Sequence, residues 1–302
     1  MPAMLAIRAG GRQFPAGNGR DAADAAKRVT VDFPRALRDR RTRRRLSQLE
    51  LALRAGTTQR HLSFIESGRS VPGRNMVVRL AEGLELPLRE RNELLVAAGY
   101  APAYPESPLD DPVLAPVRTA IGHILRGHLP YPALVVDRDG GLIAANEAFG
   151  LITEGADPVL LGAGANVYRL ALHPRGLAPR IGNLAEWARH ILTRLGHLPE
   201  LRDELTRYVP APEPSAGQLG FAVPLHLRTS LGELRLMTTV TTFATAVDVT
   251  LSELKLEAFL PVDTTTAGIL RRFAGGTDAT GPATAPGRAH GLGRPAGDRG
   301  RS

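Results

Sequence analysis

Residues 46–68 decide how the first part of this chain folds: Leu46-Ser-Gln-Leu-Glu50-Leu-Ala-Leu-Arg-Ala55-Gly-Thr-Thr-Gln-Arg60-His-Leu-Ser-Phe-Ile65-Glu-Ser-Gly68. Ser47 followed by Glu50 is an S-x-x-E capping box, which fixes the start of a helix over about Gln48–Arg54. Gly56 falls where a tight turn needs a residue free to take positive φ. Thr57 is then expected to cap a second helix, about Thr58–Ser67, and Gly68 to end it one position past the last helical residue. Leu51, Ala52 and Ala55 can face Leu62 and Ile65, with Ala52 small enough for close helix contact. The stretch reads as two short helices locked around one turn.

Working outward, an Arg-rich helix is predicted upstream over about Pro34–Arg45, carrying Arg35, Arg38, Arg40, Arg41, Arg43, Arg44 and Arg45. These seven spread around the whole helix, so they cannot all meet one surface. Two or three are expected to touch phosphate. Downstream, helices are predicted over about Arg74–Gly83 and Leu88–Ala98. Together they make an all-α, five-helix domain over residues 31–99. A helix pair of this kind can hold its second member at a fixed angle and present its leading side chains to base edges in the major groove of DNA. A generic helical hairpin is the plainer alternative.

Tyr100-Ala-Pro-Ala-Tyr-Pro-Glu-Ser-Pro108 holds three prolines, cannot continue a helix, and is read as a linker over 100–108. Residues 109–273 then change character. An amphipathic helix over 109–128 places Leu114, Val117, Ile121 and Leu125 on one face. Ala133–Asp137, the turn Arg138-Asp139-Gly140-Gly141 and Leu142–Ala145 form a β-hairpin pattern. Helices follow to about Tyr208, and strands return over Phe221–Arg228, Glu233–Thr242 and Glu253–Leu260. The expectation is an α+β domain with a five-stranded antiparallel sheet and its helices packed on one side.

Charge follows this division. Of the net +8, residues 31–104 carry 14 basic and 8 acidic groups, and residues 105–273 carry 15 basic and 18 acidic. A basic first domain on a mildly acidic second one places any phosphate contact on the first. The 36 Arg against 2 Lys fit coding bias in a GC-rich bacterial genome and carry no mechanism. Residues 1–30 and 274–302 are rich in Gly, Ala, Pro and Arg and poor in large apolar groups, and both are expected to be disordered tails. No internal repeat is visible. With no Cys there is neither disulfide nor thiolate metal site. No apolar run of membrane-spanning length and no signal-peptide pattern is seen, so the expectation is a cytoplasmic, nucleoid-associated protein without a membrane partner.

Residues 34–84 resemble the xenobiotic-response-element (XRE) family of helix-turn-helix domains, which includes the lambdoid phage repressors; Gly56-Thr57-Thr58-Gln59 carries the likeness most closely. The resemblance implies that Gln48 bonds a phosphate from a helix N-terminus. It also places Thr58, Gln59, Arg60 and Ser63 on a major-groove face, beside Thr57. Gln can pair bidentately with adenine and Arg with guanine. Arg69 and Arg74 are expected to clamp the DNA backbone, and the family pattern gives Glu66 a structural ion pair with Arg41. One departure stands out. Leu49 and Leu53, at i,i+4, occupy positions that are commonly polar in the family, and are expected to dock on the rest of the chain or across a dimer.

Residues 105–263 resemble the MmyB-like ligand-binding domain, a PAS-type sensor fold that bacterial regulators carry behind an XRE head. The carrying stretches are Tyr131–Arg138, Asn146, Asn166–Pro174, Asn183–Trp187, Thr239–Phe243 and Asp248–Leu251. The resemblance implies a small apolar, fatty-acid-like ligand held between sheet and helices. Candidate lining residues are Val136, Phe149, Tyr168, Leu172, Trp187, Ile191, Val223, Leu225, Leu236 and Phe243; an ordinary filled core is the alternative. Arg169, His173 and Asn183 either orient a polar head group or serve as caps and bridges.

Other chemistry finds little support. Gly162-Ala-Gly164-Ala-Asn-Val167 starts like a dinucleotide loop but has Val167 where the third glycine belongs. His190 and His197 are too far apart along one helix to grip a metal as an i,i+4 pair. No G-x-S-x-G elbow or paired-carboxylate motif is present, so an enzyme is not expected and no cofactor is indicated. The resulting expectation is a transcriptional regulator, with repression preferred. It would bind a palindromic DNA operator as a homodimer and respond to a small-molecule effector. A ligand-independent repressor whose second domain only dimerises is the nearer alternative, and an enzyme with a catalytic chamber the remote one.

Overall fold

The computed structural model describes residues 32–209, 223–243 and 246–278. The expected tail over 1–30, the end of the second tail and the start of the strand predicted from Phe221 lie outside the described residues. The head comprises α1 (Phe33–Arg43), α2 (Gln48–Arg54), α3 (Gln59–Glu66), α4 (Arg74–Gly83) and α5 (Leu88–Ala97). Its core is one cluster that includes Phe33, Leu37, Leu51, Leu62, Ile65, Leu80, Leu94 and Leu95. Burying each of the leucines contributes on the order of 1.5–3 kcal/mol.

The helix ends explain the boundaries. Helix α1 stops two residues early because Arg45, not a glycine, takes the left-handed conformation (φ 56°) and folds the chain back. Ser47 accepts from the Glu50 backbone N–H while the Glu50 carboxylate accepts from the Ser47 N–H at 2.8 Å, so the capping box is closed. Gly56 takes φ +62° in the turn. The cap of α3 is Thr58, not Thr57: its hydroxyl accepts from the His61 N–H at 3.1 Å. Thr57 instead hydrogen-bonds the His61 ring at 3.0 Å.

The second region follows a short 3-10 turn with α6 (Ala115–Gly127), β1 (Ala133–Val136), β2 (Leu142–Ala145), α7 (Phe149–Thr153), α8 (Pro158–Leu161), α9 (Val167–Leu172), α10 (Leu184–Arg194) and α11 (Pro199–Thr206). Then come β3 (Leu225–Thr229), β4 (Gly232–Thr242), α12 (Val249–Glu253), β5 (Lys255–Pro261) and α13 (Thr264–Asp278). The strands form one antiparallel sheet in the order β2-β1-β5-β4-β3. The hairpin turn depends on Gly140, at φ +84°, where a Cβ would lie 2.3 Å from the Tyr168 ring.

Helices cover both faces of this sheet, which corrects the one-sided expectation. Leu134, Val136, Leu225, Leu234, Leu236 and Phe259 face the larger core with α7, α9, α10 and α11. Their alternate neighbours Ala133, Val135, Leu256 and Ala258 face Ile121 and Leu125 of α6. A strand buried on both sides must be apolar throughout, and all four residues of β1 are buried. Asn146 fastens α6 to this face. It donates to the carbonyls of Leu125 and Tyr131 and accepts from the Ala133 N–H.

Two further boundaries differ. Val249–Glu253 is a helical turn capped by Asp248, so β5 begins only at Lys255. Helix α13 runs past residue 273, where the domain was expected to end.

Candidate DNA-reading head and ligand-sensing cavity

Helix α3 is two-faced. Leu62, Ile65 and Glu66 are buried, while Gln59 and Arg60 are exposed and Ser63 is half-buried. The Arg60 guanidinium lies 5.5 Å from the Phe64 ring centre, which holds it along the helix. Thr58, Arg69 and Arg74 are exposed beside this face, and Thr57 is half-buried.

What fixes α3 is a buried carboxylate. Glu66 accepts from Arg41 through Nε at 2.7 Å and Nη2 at 2.9 Å, and from Gln48 Nε2 at 2.9 Å. Arg38 donates to the Glu66 backbone carbonyl, and Arg41 also donates to the Leu46 carbonyl. Burial alone would raise the Glu66 carboxyl pKa. The Arg41 and Gln48 hydrogen bonds and the nearby positive charges outweigh it and hold it below the usual range. Helices α1, α2 and α3 thus share one hub. This arrangement commits the Gln48 side-chain amide to Glu66. Internal partners also take up Arg40 (Glu93) and Arg44 (the Glu85 carbonyl). Leu49 and Leu53 are 51% and 70% exposed, so neither docks on the described residues of the chain.

In the second region a cavity of about 50 Å³ lies between the sheet and α7, α9 and α10. Phe149, Tyr168, Trp187, Ile191 and Leu225 line it, with Leu134, Ile152, Leu170, Leu177 and Phe259. Val136, Leu172 and Leu236 belong to the same core but do not line the cavity, and Val223 packs at its edge. Phe243 is on the wrong side: it packs against the smaller core on the opposite face. It follows directly on β4, at an odd-numbered position where Leu234 and Leu236 are even, and alternate positions point to opposite faces.

Arg169, His173 and Asn183 are structural. Arg169 makes a two-pronged ion pair with Glu204, at 2.8 and 2.7 Å. His173 accepts from the Arg175 N–H, and Asn183 bridges the Pro224 carbonyl and the His226 N–H. The polar residues that do border the cavity are His190, Arg194, Thr238 and Glu257; of these the sequence pointed only to His190, and that as a metal ligand to set aside. A pattern signal was present. Glu257 interrupts an apolar strand at a position in phase with Phe259, and His190 and Arg194 stand at i,i+4 on α10. Among the described residues no His, Asp or Glu cluster could hold a metal ion.

Residues 117–273 match the model of the MmyB-like transcription regulator ligand binding domain, and residues 37–91 match that of a helix-turn-helix domain. The chain belongs to the MmyB-like transcription regulator family. It is a DNA-binding transcription regulator with a ligand-binding domain of PAS-like fold behind its helix-turn-helix head. Among solved structures, the regulator is similar to the restriction-modification controller protein C.AhdI from Aeromonas hydrophila. That match has 31% identity over 20% of this chain and 90% of that one, with a TM-score of 0.20. It is also similar to an RNA-binding light-oxygen-voltage receptor, at 17% identity over 86% of this chain and 67% of that one, with a TM-score of 0.25. No curated protein matches it. No helix among the described residues is long and apolar enough to cross a membrane.

Head and sensor meet directly. Arg89 of α5 donates to both carboxylate oxygens of Glu253, each at 2.8 Å, and to Glu106 of the linker. These bonds raise the Arg89 pKa further above its usual value. Asn92 holds the linker at Ala103 and Tyr104, while the Ser107 N–H donates to Asp248 and the Val249 N–H to the Pro105 carbonyl. The proline-rich segment is therefore fastened at both ends.

Proposed function

We propose that this regulator binds a palindromic duplex operator as a homodimer and represses transcription. In this reading, occupation of the sensor cavity by a small, largely apolar molecule alters operator affinity. The observation that carries it is the face of exposed Gln59 and Arg60 and half-buried Ser63, on a helix whose opposite face is locked by Leu62, Ile65 and the Glu66 hub. Gln59 and Arg60 suit adenine and guanine edges, and Arg69 and Arg74 suit the phosphates on either side. Half-sites are expected about one helical turn apart.

The path from sensor to head supports the regulatory part. Glu257 borders the cavity, and Glu253, just upstream on the same segment, grips Arg89 of the head. A shift of β5 on ligand entry therefore reaches α5 through one ion pair. The ligand must bind the two arrangements with different affinity for this to change DNA binding.

Competition binding of the full chain against single-base variants of its preferred duplex tests the assignment. Gln59→Ala and Arg60→Ala are expected to relax discrimination at one base each, by about 1–3 kcal/mol. Gln48→Ala is expected to weaken all duplexes alike, because it removes one of the bonds by which the Glu66 hub sets α3 against α2. If all three variants lost only sequence-independent affinity, the roles given to Gln59 and Arg60 would be wrong.

A further inference from the structure

The sensor cavity has one polar end, and that end is electrically closed. Arg194 of α10 donates to Glu257 of β5 at 3.0 Å, and both border the cavity. Glu257 is only 6% exposed and occupies a core-facing position of a central strand, opposite Leu134 of β1. Burial and the Arg194 charge lower the pKa of His190, the other basic group there, against the pull of Glu257. Burial first of all raises that of Tyr168. At neutral pH the end therefore holds one cation, one anion and two neutral rings.

It is also incomplete. The Thr238 Oγ1 is shut off from solvent and has no hydrogen-bond partner among the described residues, although it lines the cavity beside the Arg194–Glu257 pair. A buried hydroxyl left unpaired is costly, and such exceptions are few in folded proteins. The remaining lining, from Phe149, Ile152, Leu170, Leu225 and Phe259, is apolar.

Resting on the reading of this cavity as the sensor, we propose that its ligand is an uncharged, mainly apolar molecule with one hydrogen-bonding oxygen, of the alcohol or ketone class, seated with that oxygen on Thr238. An ionised carboxylate would bring a second anion to the single arginine already neutralised by Glu257. An ammonium would bring a second cation to Arg194. Either leaves a charge uncompensated in a buried site, which is strongly disfavoured. A neutral oxygen satisfies Thr238 and leaves the pair intact. The fatty-acid-like ligand implied by family resemblance is thereby narrowed to chain-like molecules without the acid. The present volume, about 50 Å³, is well below the roughly 300–1,000 Å³ of drug-sized pockets, so the class is one of small molecules that part the side chains on entry.

The chain's single tryptophan, Trp187, lines the cavity, so its fluorescence reports occupation of this site alone. The full-length protein would be titrated with 1-hexanol, 2-hexanone, hexanoate and hexylammonium at neutral pH, and circular dichroism would check the fold of each variant. At least one of the two uncharged probes is expected to bind ten-fold or more tightly than both charged ones. Thr238→Val is expected to weaken the preferred uncharged probe about five- to ten-fold, the loss of one hydrogen bond to a buried group. Glu257→Gln is expected to move preference toward hexanoate by at least ten-fold, because it frees the Arg194 charge. Hexanoate or hexylammonium binding as tightly as the uncharged probes to the unmodified protein would overturn the proposal while leaving a ligand sensor in place. A loss of less than two-fold in a folded Thr238→Val variant would overturn the seating on Thr238. A Trp187 signal unmoved by all four probes would remove the sensing reading itself and this inference with it.

Discussion

The head and the sensor each place a glutamate among apolar side chains, and they finish the surroundings differently. In the head, Glu66 has a side chain with no exposure and both oxygens bonded, to Arg41 and Gln48. In the sensor, Glu257 has Arg194 on one side and a cavity on the other, with the Thr238 hydroxyl unpaired nearby. A fully satisfied polar hub rigidifies what it joins, whereas a partly satisfied one beside empty space is free to take another partner. The first is how a reading helix is held at a fixed angle. The second, in the function proposed, is how an interior is kept ready for a ligand.

The largest expected effect separates the two regions by stability. Glu66→Ala would leave the half-buried Arg41 without its partner and should destabilise the head by about 3–5 kcal/mol. Circular dichroism should show early loss of helix while Trp187 fluorescence, which sees only the sensor, keeps its own transition. A single unchanged transition in both signals would break the contrast. Acid should act in the same direction. The Glu66 carboxyl is held below its ordinary range, so its contribution is fully present above the unfolded value and disappears as pH falls through the folded one. Helix content of the head should therefore fall below about pH 4, and Glu66→Gln should flatten that dependence.

Glu257→Gln should cost less, about 1–2 kcal/mol, because Arg194 remains 31% exposed and can turn to water. A loss as large as that of Glu66→Ala would mean the sensor pair is a scaffold like its counterpart in the head. Smallest is Thr238→Val, which removes an unsatisfied buried hydroxyl without changing shape. It should leave the sensor as stable as before or raise its stability by up to about 1 kcal/mol in thermal unfolding. A clear destabilisation would mean that Thr238 already has a partner when the cavity is empty.

The legibility of the sequence follows the same divide. The capping box at Ser47 and Glu50, Gly56 and Gly68 are local signals with local causes, and the head could be read from them nearly to the residue. The choice between Thr57 and Thr58 as cap was not legible, since either hydroxyl suits the role until Gly56 fixes the turn. In the sensor, Asp139-Gly140-Gly141 announced the hairpin, but the last strand was expected from Glu253, whereas the Asp248-capped helical turn holds Glu253 and delays the strand to Lys255. Of the residues expected around a ligand, Phe149, Tyr168, Trp187, Ile191 and Leu225 meet at the cavity. Phe243 does not, because strand parity, rather than hydrophobicity, assigns the face. The polar end escaped notice for a related reason. Thr238 and Glu257 look solvent-facing until the register with β1 and β5 is known.

The function proposed for this regulator rests first on α3 as a reader of bases. In vitro selection of random duplexes by the full-length protein, repeated with Gln59→Ala plus Arg60→Ala, tests this most directly. The unmodified protein is expected to enrich one palindromic motif, and the double variant to lose the preference at positions within each half-site while still binding DNA. Enrichment of no motif, or of the same motif by both proteins, would contradict it.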